Sequence, residues 1–262
     1  MQQDLKDKTA LVGGSTQGIG WAVAQTLAER GARVVLLARN EEKLRSAAAS
    51  LPTPAQQVHT FLVADYTQPD SVAHAVHAFL AAGNTIHILV NNTGGPAAGP
   101  ILDAQPEAFV AAFAQHLINN QRLAQAVVPG MRASGYGRIV NIISTSVKAP
   151  LHGLGVSNTV RAAVGNWSKT LATELAPDGI TVNNVLPGAT QTERLTAIID
   201  GRAARTGRAS AEVAQEMIDE VPMRRFAQPG EIAAAVAFLA SPAASYITGI
   251  NVPVDGGRTP NL

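Results

Sequence analysis

The 262-residue chain contains no cysteine, which excludes disulfide bonds, thiolate catalysis and cysteine-ligated zinc. The absence is compatible with a reducing compartment, and the polar N-terminus shows no secretory-signal pattern, so the cytoplasm is the expected location. An excess of one charge is also lacking, because the formal net charge is +1. Neither nucleic acid nor an anionic membrane is therefore an expected partner. No apolar run reaches the length of about 18 residues that indicates a membrane span.

Aromatic residues are scarce at 4%, yet apolar residues make up 46% of the chain, enough for a large aliphatic core. Short apolar runs predict strands at Ala10–Val12, Arg33–Ala38, Val58–Ala64, Ile86–Val90, Arg138–Ile143, Ile180–Leu186 and Ile247–Val254. Helical periodicity lies between them, at Trp21–Arg30, Glu41–Ser50, Pro69–Ala82, Pro106–Ala133, Asn158–Ala176 and Pro229–Ala240. This alternation predicts an α/β fold, a single doubly wound (Rossmann) domain over residues 1–262 with about seven parallel strands and helices on both faces.

A glycine-rich turn, Gly14-Ser15-Thr16-Gln17-Gly18-Ile19-Gly20, follows the first predicted strand and precedes the first predicted helix. In this context glycines let the backbone approach a pyrophosphate, and the helix N-terminus offers unpaired N–H groups. The turn therefore predicts a dinucleotide site. A tight strand-to-helix turn that binds nothing is the structural alternative.

The alternation of strands and helices stops between Pro187 and Pro229. Two helix-like pieces replace it, Glu193–Arg202 and Ser210–Glu220, each with apolar residues on one face. Ligands of doubly wound sheets bind beyond the carboxyl ends of the strands, where this insertion begins. We expect residues 190–228 to form a substrate lid, with a structural helical hairpin or an oligomer contact as the alternative.

Four further segments carry a resemblance to a known family. They are Asp65, Leu89-Val90-Asn91-Asn92-Thr93-Gly94, Pro187-Gly188 with Thr190 and Thr192, and the pair Tyr246-Ile247-Thr248-Gly249 and Val254-Asp255-Gly256-Gly257. From about Lys8 to Gly257 the chain resembles the short-chain dehydrogenases/reductases, and along its scaffold the 3-oxoacyl-carrier-protein reductases. The resemblance implies a nicotinamide cofactor held by the glycine turn, Asp65, Asn91, Asn92, Gly94, Pro187, Gly188 and Thr190.

The same resemblance implies a catalytic tetrad of asparagine, serine, tyrosine and lysine, and the chain departs from it. Ser144 matches the family serine, but Ser157 stands at the tyrosine position, Arg161 at the lysine position and His116 at the asparagine position. A serine hydroxyl is a far poorer acid than a phenol. Arg161 still offers hydrogen bonds to a ribose and a positive charge.

Two histidines are candidates for the missing proton donor, because imidazole titrates near pH 6.5. His116 is at a tetrad position, and His152 lies with Leu151 in the loop expected to contact substrate. The alternative for either histidine is a packed or surface residue without a chemical role. No residues have the spacing of metal ligands.

Cofactor choice depends on the end of the second predicted strand. Folds that prefer NAD place an acid there, whereas this chain has Arg39, whose guanidinium suits the 2′-phosphate of NADP. We expect NADP(H) to be favoured over NAD(H), the alternative being that Arg39 is a solvated surface residue.

Two main functions follow. The first is an NADP(H)-dependent oxidoreductase that interconverts a carbonyl and an alcohol on a small, partly apolar substrate. The second is a catalytically degenerate protein that binds the cofactor for a structural, sensing or non-redox role; a lyase or isomerase is a weaker third.

The resemblance implies a homotetramer or homodimer built on the predicted helices Pro106–Ala133 and Asn158–Ala176 and the last strand. Their alanines allow close approach: Ala111, Ala112, Ala114, Ala162 and Ala163.

Overall fold

A seven-stranded parallel sheet forms the centre of the computed structural model, which describes residues 3–260. The strands are β1 (Thr9–Gly13), β2 (Arg33–Ala38), β3 (Thr60–Val63), β4 (Ile88–Asn91), β5 (Gly137–Ile142), β6 (Ile180–Pro187) and β7 (Asn251–Val254). Their order is β3-β2-β1-β4-β5-β6-β7. The chain leaves β1 toward β2 on one side and reaches β4 on the other, so the topological switch point lies between β1 and β4. Ligands of such sheets bind beyond that point.

Helices cover both faces of the sheet, which confirms the doubly wound prediction. They are α1 (Gly18–Glu29), α2 (Glu41–Ser50), α3 (Pro69–Ala81), α4 (Pro106–Phe113), α5 (Asn119–Ser134), α6 (Gly155–Leu175), α7 (Glu193–Thr206), α8 (Ser210–Asp219) and α9 (Pro229–Leu239). One core, around Val12 and Val34, packs under α1 and α9. The other, around Leu11 and Ile139, packs under α3 and α5.

The single helix predicted over Pro106–Ala133 is wrong. The segment divides into α4 and α5 around a π-helical turn, Ala114–Ile118. In such a turn each backbone hydrogen bond spans one residue more than in an α-helix. His116 lies in this turn instead of in an α-helix. The apolar periodicity on either side of the turn is uninterrupted, so the sequence pattern contains no sign of it.

Four buried or half-buried asparagines form a ladder across β4, β5, β6 and β7 at matched register positions. The Nδ2 of Asn91 donates to Asn141 Oδ1 at 2.8 Å, Asn141 donates to Asn184 at 2.9 Å, and Asn184 donates to Asn251 at 2.7 Å. Because buried amides must be paired, this ladder fixes strand register near the carboxyl half of the sheet.

Within residues 3–260, no helix combines the length and the apolar character needed to cross a membrane.

Candidate active site

A cleft of about 1540 Å³ opens at the carboxyl ends of the strands. Most of the predicted site residues line it: Gly14, Thr16, Gln17, Gly18, Ile19, Gly20, Arg39, Asp65, Asn92, Gly94, Ser144, Leu151, His152, Ser157, Arg161, Pro187, Gly188 and Thr190. Ser15, Asn91 and His116 are absent from the cleft wall. The fold therefore brings the glycine turn, Ser144, Ser157 and Arg161 to one cavity.

The glycine turn has the shape of a phosphate cradle. Gly14 and Gly18 both have φ of +56°, a conformation that side chains rarely adopt. At Gly20 a Cβ atom would lie 2.2 Å from the carbonyl oxygen of Gly14, so only glycine lets the first turn of α1 approach this closely. The turn leaves the N-terminus of α1 open to the cleft, and this arrangement fits the pyrophosphate of a dinucleotide.

Side chains behind the turn hold it in place. Asn92 Nδ2 donates to the carbonyl of Gly13 at 3.0 Å, which ties the turn to the end of β4. Ser15 is fully buried, and its Oγ accepts a hydrogen bond from the backbone N–H of Leu37 at 3.0 Å. Ser15 and Asn91 were both predicted to bind the cofactor, and their side chains are hydrogen-bonded inside the fold, Asn91 Nδ2 donating to Asn141 Oδ1. These two side chains therefore stabilise segments that border the cleft.

At the far end of the cleft, Asp65 and Arg39 follow β3 and β2. One carboxylate oxygen of Asp65 accepts from the backbone N–H of Thr67 at 2.9 Å, which holds the residue at the strand end. Arg39 is exposed and forms no ion pair with any residue in 3–260. Its guanidinium is therefore available to an anion entering this end of the cleft.

The segment after β6 forms the opposite wall. A Cβ atom at Gly188 would lie 2.7 Å from Asp255 Cα, so the backbone here requires glycine. Thr190 Oγ1 donates to the Gly188 carbonyl at 3.0 Å. Thr192 caps α7, and Gln17 in the glycine turn donates to Glu193 at 2.9 Å. The glycine turn and the start of α7 are thus in direct contact.

Ser144, Ser157 and Arg161 lie together at the carboxyl end of β5. Ser144 Oγ accepts from the N–H of Ser146 at 3.1 Å, which leaves its hydroxyl proton free to donate into the cleft. Arg161 Nε donates to Ser157 Oγ at 3.3 Å, one helical turn away on α6. Its Nη1 donates to the carbonyls of Ile143 at 2.9 Å and Ile142 at 3.2 Å. These bonds fix the guanidinium beside the strand that ends at Ser144.

His116 lies behind this group and is 5% exposed. Burial, together with the charges of Arg161 and Arg194, lowers the pKa of His116 to about 3. Its Nε2 is buried without a hydrogen-bond partner among the described residues. His116 is therefore neutral at physiological pH, and the ordinary titration near pH 6.5 expected of a histidine donor does not apply to it.

A side chain of α6, that of Asn158, holds the loop that contains Leu151 and His152 in place. Asn158 Nδ2 donates to the carbonyl of Leu151 at 2.8 Å, and its Oδ1 accepts from the N–H of Leu151 at 3.3 Å. His152 is exposed in the cleft wall. Of the two histidines considered from the sequence, only His152 faces the cavity.

Arg194 is a cleft residue that the sequence reasoning missed. It lies in the first turn of α7, and its Nη2 donates to the carbonyl of Pro96 at 2.5 Å. Burial of the guanidinium lowers the pKa of Arg194, and burial together with the charge of Arg194 lowers the pKa of Arg161 to about 10. The sequence does contain one indication that Arg194 lines the cleft, because it follows Thr192 by two residues at the start of the predicted lid.

Comparisons with known proteins agree with this geometry. A family model described as Enoyl-(Acyl carrier protein) reductase matches residues 14–259. The 3-oxoacyl-[acyl-carrier-protein] reductase of Vibrio cholerae is 34% identical over 97% of this chain and 98% of its own length. The structure of L-sorbose reductase from Gluconobacter frateurii, with NADPH and L-sorbose, superposes with a TM-score of 0.92 at 34% identity over both full chains. YwfH, an NADPH-dependent reductase involved in bacilysin biosynthesis, is 28% identical with a TM-score of 0.91 over 97% of this chain and 99% of that one. The chain belongs to the short-chain dehydrogenase/reductase family, resembles the 3-oxoacyl-carrier-protein reductases within it, and is an oxidoreductase by that membership.

Proposed function

We propose that the protein is an NADP(H)-dependent reductase or dehydrogenase that interconverts a carbonyl and an alcohol on a small, partly apolar substrate. The observation that carries the proposal is the single cleft that joins the glycine cradle to Ser144, Ser157 and Arg161. When bound, the nicotinamide supplies or accepts the hydride. Ser144 donates its free hydroxyl proton as a hydrogen bond to the substrate oxygen, and Arg161 keeps a positive charge beside it.

The cofactor preference rests on Arg39. It is a cation at the strand end where a 2′-phosphate would lie, and it forms no ion pair within residues 3–260. No acid stands between the end of β2 and Glu41. NADPH-bound relatives such as the sorbose reductase support the same choice.

We infer that Ser157, Arg161 and His116 occupy the family's tyrosine, lysine and asparagine positions, so that a non-standard donor supplies the proton. His116 is unsuited to this role at neutral pH, because its pKa of about 3 leaves it unprotonated. His152 faces the cleft and is the side chain that we assign as donor, with solvent in the open cleft as the competing source.

The rate of a His152 variant tests the assignment. We expect NADPH to bind, as followed by its fluorescence, and to be oxidised in the presence of a carbonyl panel. Losing a positioned general acid lowers a rate roughly 10²–10⁴-fold. His152→Ala should therefore lower the rate of carbonyl reduction by about that factor if His152 is the donor, whereas a solvent donor leaves the rate of this variant unchanged. NADPH binding without turnover of any carbonyl would favour the non-redox alternative and contradict the proposal.

The α7–α8 hairpin supports the proposed substrate lid over residues 190–228. Its inner faces pack against one another through Leu195, Ile199, Ala203 and Val213, so the pair forms a small cluster separate from the main cores. Cleft-lining residues from α7 include Ile198 and Arg205. We propose that substrate enters beneath this hairpin.

For assembly we propose a homotetramer or homodimer. Ile101, Leu102 and Val110, before and on α4, are exposed apolar residues that a partner subunit would cover. Ala112 does not contribute to that surface, contrary to the sequence expectation, because it is buried inside the chain against Val156 and Val160. Light scattering at micromolar concentration should return a multiple of 27.2 kDa, and a monomer would contradict the proposal.

A further inference from the structure

Two guanidinium groups meet at one point of the cleft wall. A Cβ atom placed on Gly95 would lie 3.2 Å from Arg194 Nη2 and 3.3 Å from Arg161 Nη2. The two nitrogens are therefore separated by no more than about twice that distance. Glycine at position 95 leaves this point open, since any side chain there would press on both groups.

Neither charge is neutralised by the protein. Arg161 donates to Ser157 and to two backbone carbonyls, and Arg194 donates to the carbonyl of Pro96, so all their partners are neutral oxygens. No ion pair in residues 3–260 includes either arginine. By contrast, Arg202 and Arg258, which also line the cleft, pair with Glu216 and Glu220.

Two like charges held this close repel each other, and burial raises the cost of keeping both charged. Burial lowers the pKa of Arg194, and burial together with the charge of Arg194 lowers the pKa of Arg161. Burial, then the charges of both arginines, lowers the pKa of the adjacent His116. An anion between the two guanidinium groups would relieve the repulsion. One carboxylate suits the geometry, because its two oxygens can each accept a charge-assisted hydrogen bond of about 2.8 Å from a different arginine.

We propose that Arg161 and Arg194 form a carboxylate-binding subsite, so that the preferred substrate is a carbonyl compound that carries a carboxylate. The inference rests on the proposed function, and it assigns Arg194 as a specificity-determining residue. Because Arg161 lies one turn from Ser157 and beside the end of β5, the carboxylate would be anchored a short distance from Ser144.

The test is binding to the protein loaded with NADP⁺, in which a ketone cannot be reduced. The probes are 4-oxopentanoate, 5-oxohexanoate and 6-oxoheptanoate, each compared with its own carboxamide by calorimetry. We expect at least one carboxylate to bind about tenfold more tightly than its amide, since hydrogen bonds to an ionised acceptor are stronger than neutral ones. Arg194→Gln should abolish this preference, and Arg194→Lys should retain part of it. Arg132→Gln, which removes a charge paired with Asp178 away from the cleft, is the control and should change nothing.

Several results would overturn the subsite. They are equal binding of acid and amide, no binding of any probe at millimolar concentration, or a preference that survives Arg194→Gln and disappears in Arg205→Gln. If Arg194→Gln instead weakens NADPH binding tenfold and leaves the carboxylate preference intact, Arg194 belongs to the cofactor site. Failure of the proposed function is distinguishable, because a carboxylate that binds selectively to the NADP⁺-loaded protein but is not reduced when NADPH replaces NADP⁺ contradicts the reductase and leaves the subsite standing.

Discussion

The cofactor end of the cleft is built mainly from backbone, whereas the substrate end is built from side-chain charge. At the cofactor end, Gly14, Gly18 and Gly20 shape the turn and Asn92 ties it to β4. At the substrate end, Arg161 and Arg194 bring unpaired charge to a point beside Ser157. The first arrangement is one that many dinucleotide-binding proteins use. The second depends on the side chains of Arg161 and Arg194, and it is at this end that we propose the substrate is selected.

The largest expected effect comes from returning the substrate end to the family pattern. The double variant Ser157→Tyr with Arg161→Lys supplies a phenol and a lysine, and a positioned general acid contributes roughly 10²–10⁴-fold in rate. We expect faster reduction of uncharged carbonyls, measured by loss of nicotinamide absorbance at saturating NADPH. Ser157→Tyr alone is the matched control, because it separates the effect of the phenol from the effect of exchanging Arg161 for lysine. A double variant that folds, binds NADPH and is no faster than the native protein would show that Ser157 is not at the proton-transfer position.

The second prediction concerns the backbone-built end. Gly20→Ala places a Cβ within 2.2 Å of the Gly14 carbonyl oxygen, and neither backbone can move without opening the turn. Forced overlap of this kind costs about 3 kcal/mol, which corresponds to roughly a hundredfold loss of NADPH affinity. Gly99→Ala is the control, since a Cβ there has no atom within 4 Å. Near-native NADPH affinity in Gly20→Ala would mean that the turn does not hold the cofactor.

The two ends also differ in how much the sequence revealed. The glycine turn was predicted because three glycines within seven residues define a local backbone shape. The bounds of β2 and α2 agree with prediction because Asn40 caps α2 by accepting from Lys43 N–H, a local signal. The start of β7 was wrong by four residues, since Gly249 has φ of +74° and delays the strand to Asn251.

The charge pair escaped prediction for a different reason. Arg194 meets the loop at Pro96 from 98 residues away, and no local pattern encodes that contact. The π-helical turn around His116 was missed because apolar spacing continues through it. Ser157 and Arg161 were found through the family resemblance, because they stand at its tyrosine and lysine positions. Which charges remain unpaired is a property of the folded cleft alone.

The third prediction uses His116 to measure the electrostatics of the substrate end. In the folded protein the pKa of His116 is about 3, well below its ordinary value of 6.5. Between these values the unfolded chain binds a proton that the folded chain excludes, so stability falls as pH decreases from 6.5 toward 3. This site contributes at most about 1.4 kcal/mol per pH unit.

Replacing His116 with asparagine, the family residue, should remove that contribution. The free energy of unfolding, measured by urea titration at several pH values from neutral to mildly acidic, should then decrease less steeply than in the native protein. His77→Asn, a change at an exposed histidine on α3, is the control and should leave the slope unchanged. An identical slope in His116→Asn and the native protein would contradict the burial of a neutral imidazole beside the two arginines.

The smallest expected effect concerns Arg39, the cation that follows β2 at the cofactor end. Arg39→Ala should weaken NADPH binding about tenfold, the lower part of the range for a hydrogen bond to a charged group, because Arg39 is exposed and water screens it. NADH has no 2′-phosphate, so its affinity should not change. Fluorescence titration with both cofactors measures the ratio, and Arg45→Ala, which removes a nearby charge paired with Glu41 outside the cleft wall, is the control. If the ratio stays the same in Arg39→Ala, Arg39 does not contact the phosphate, and the cofactor end would then be selective through backbone alone or not selective at all.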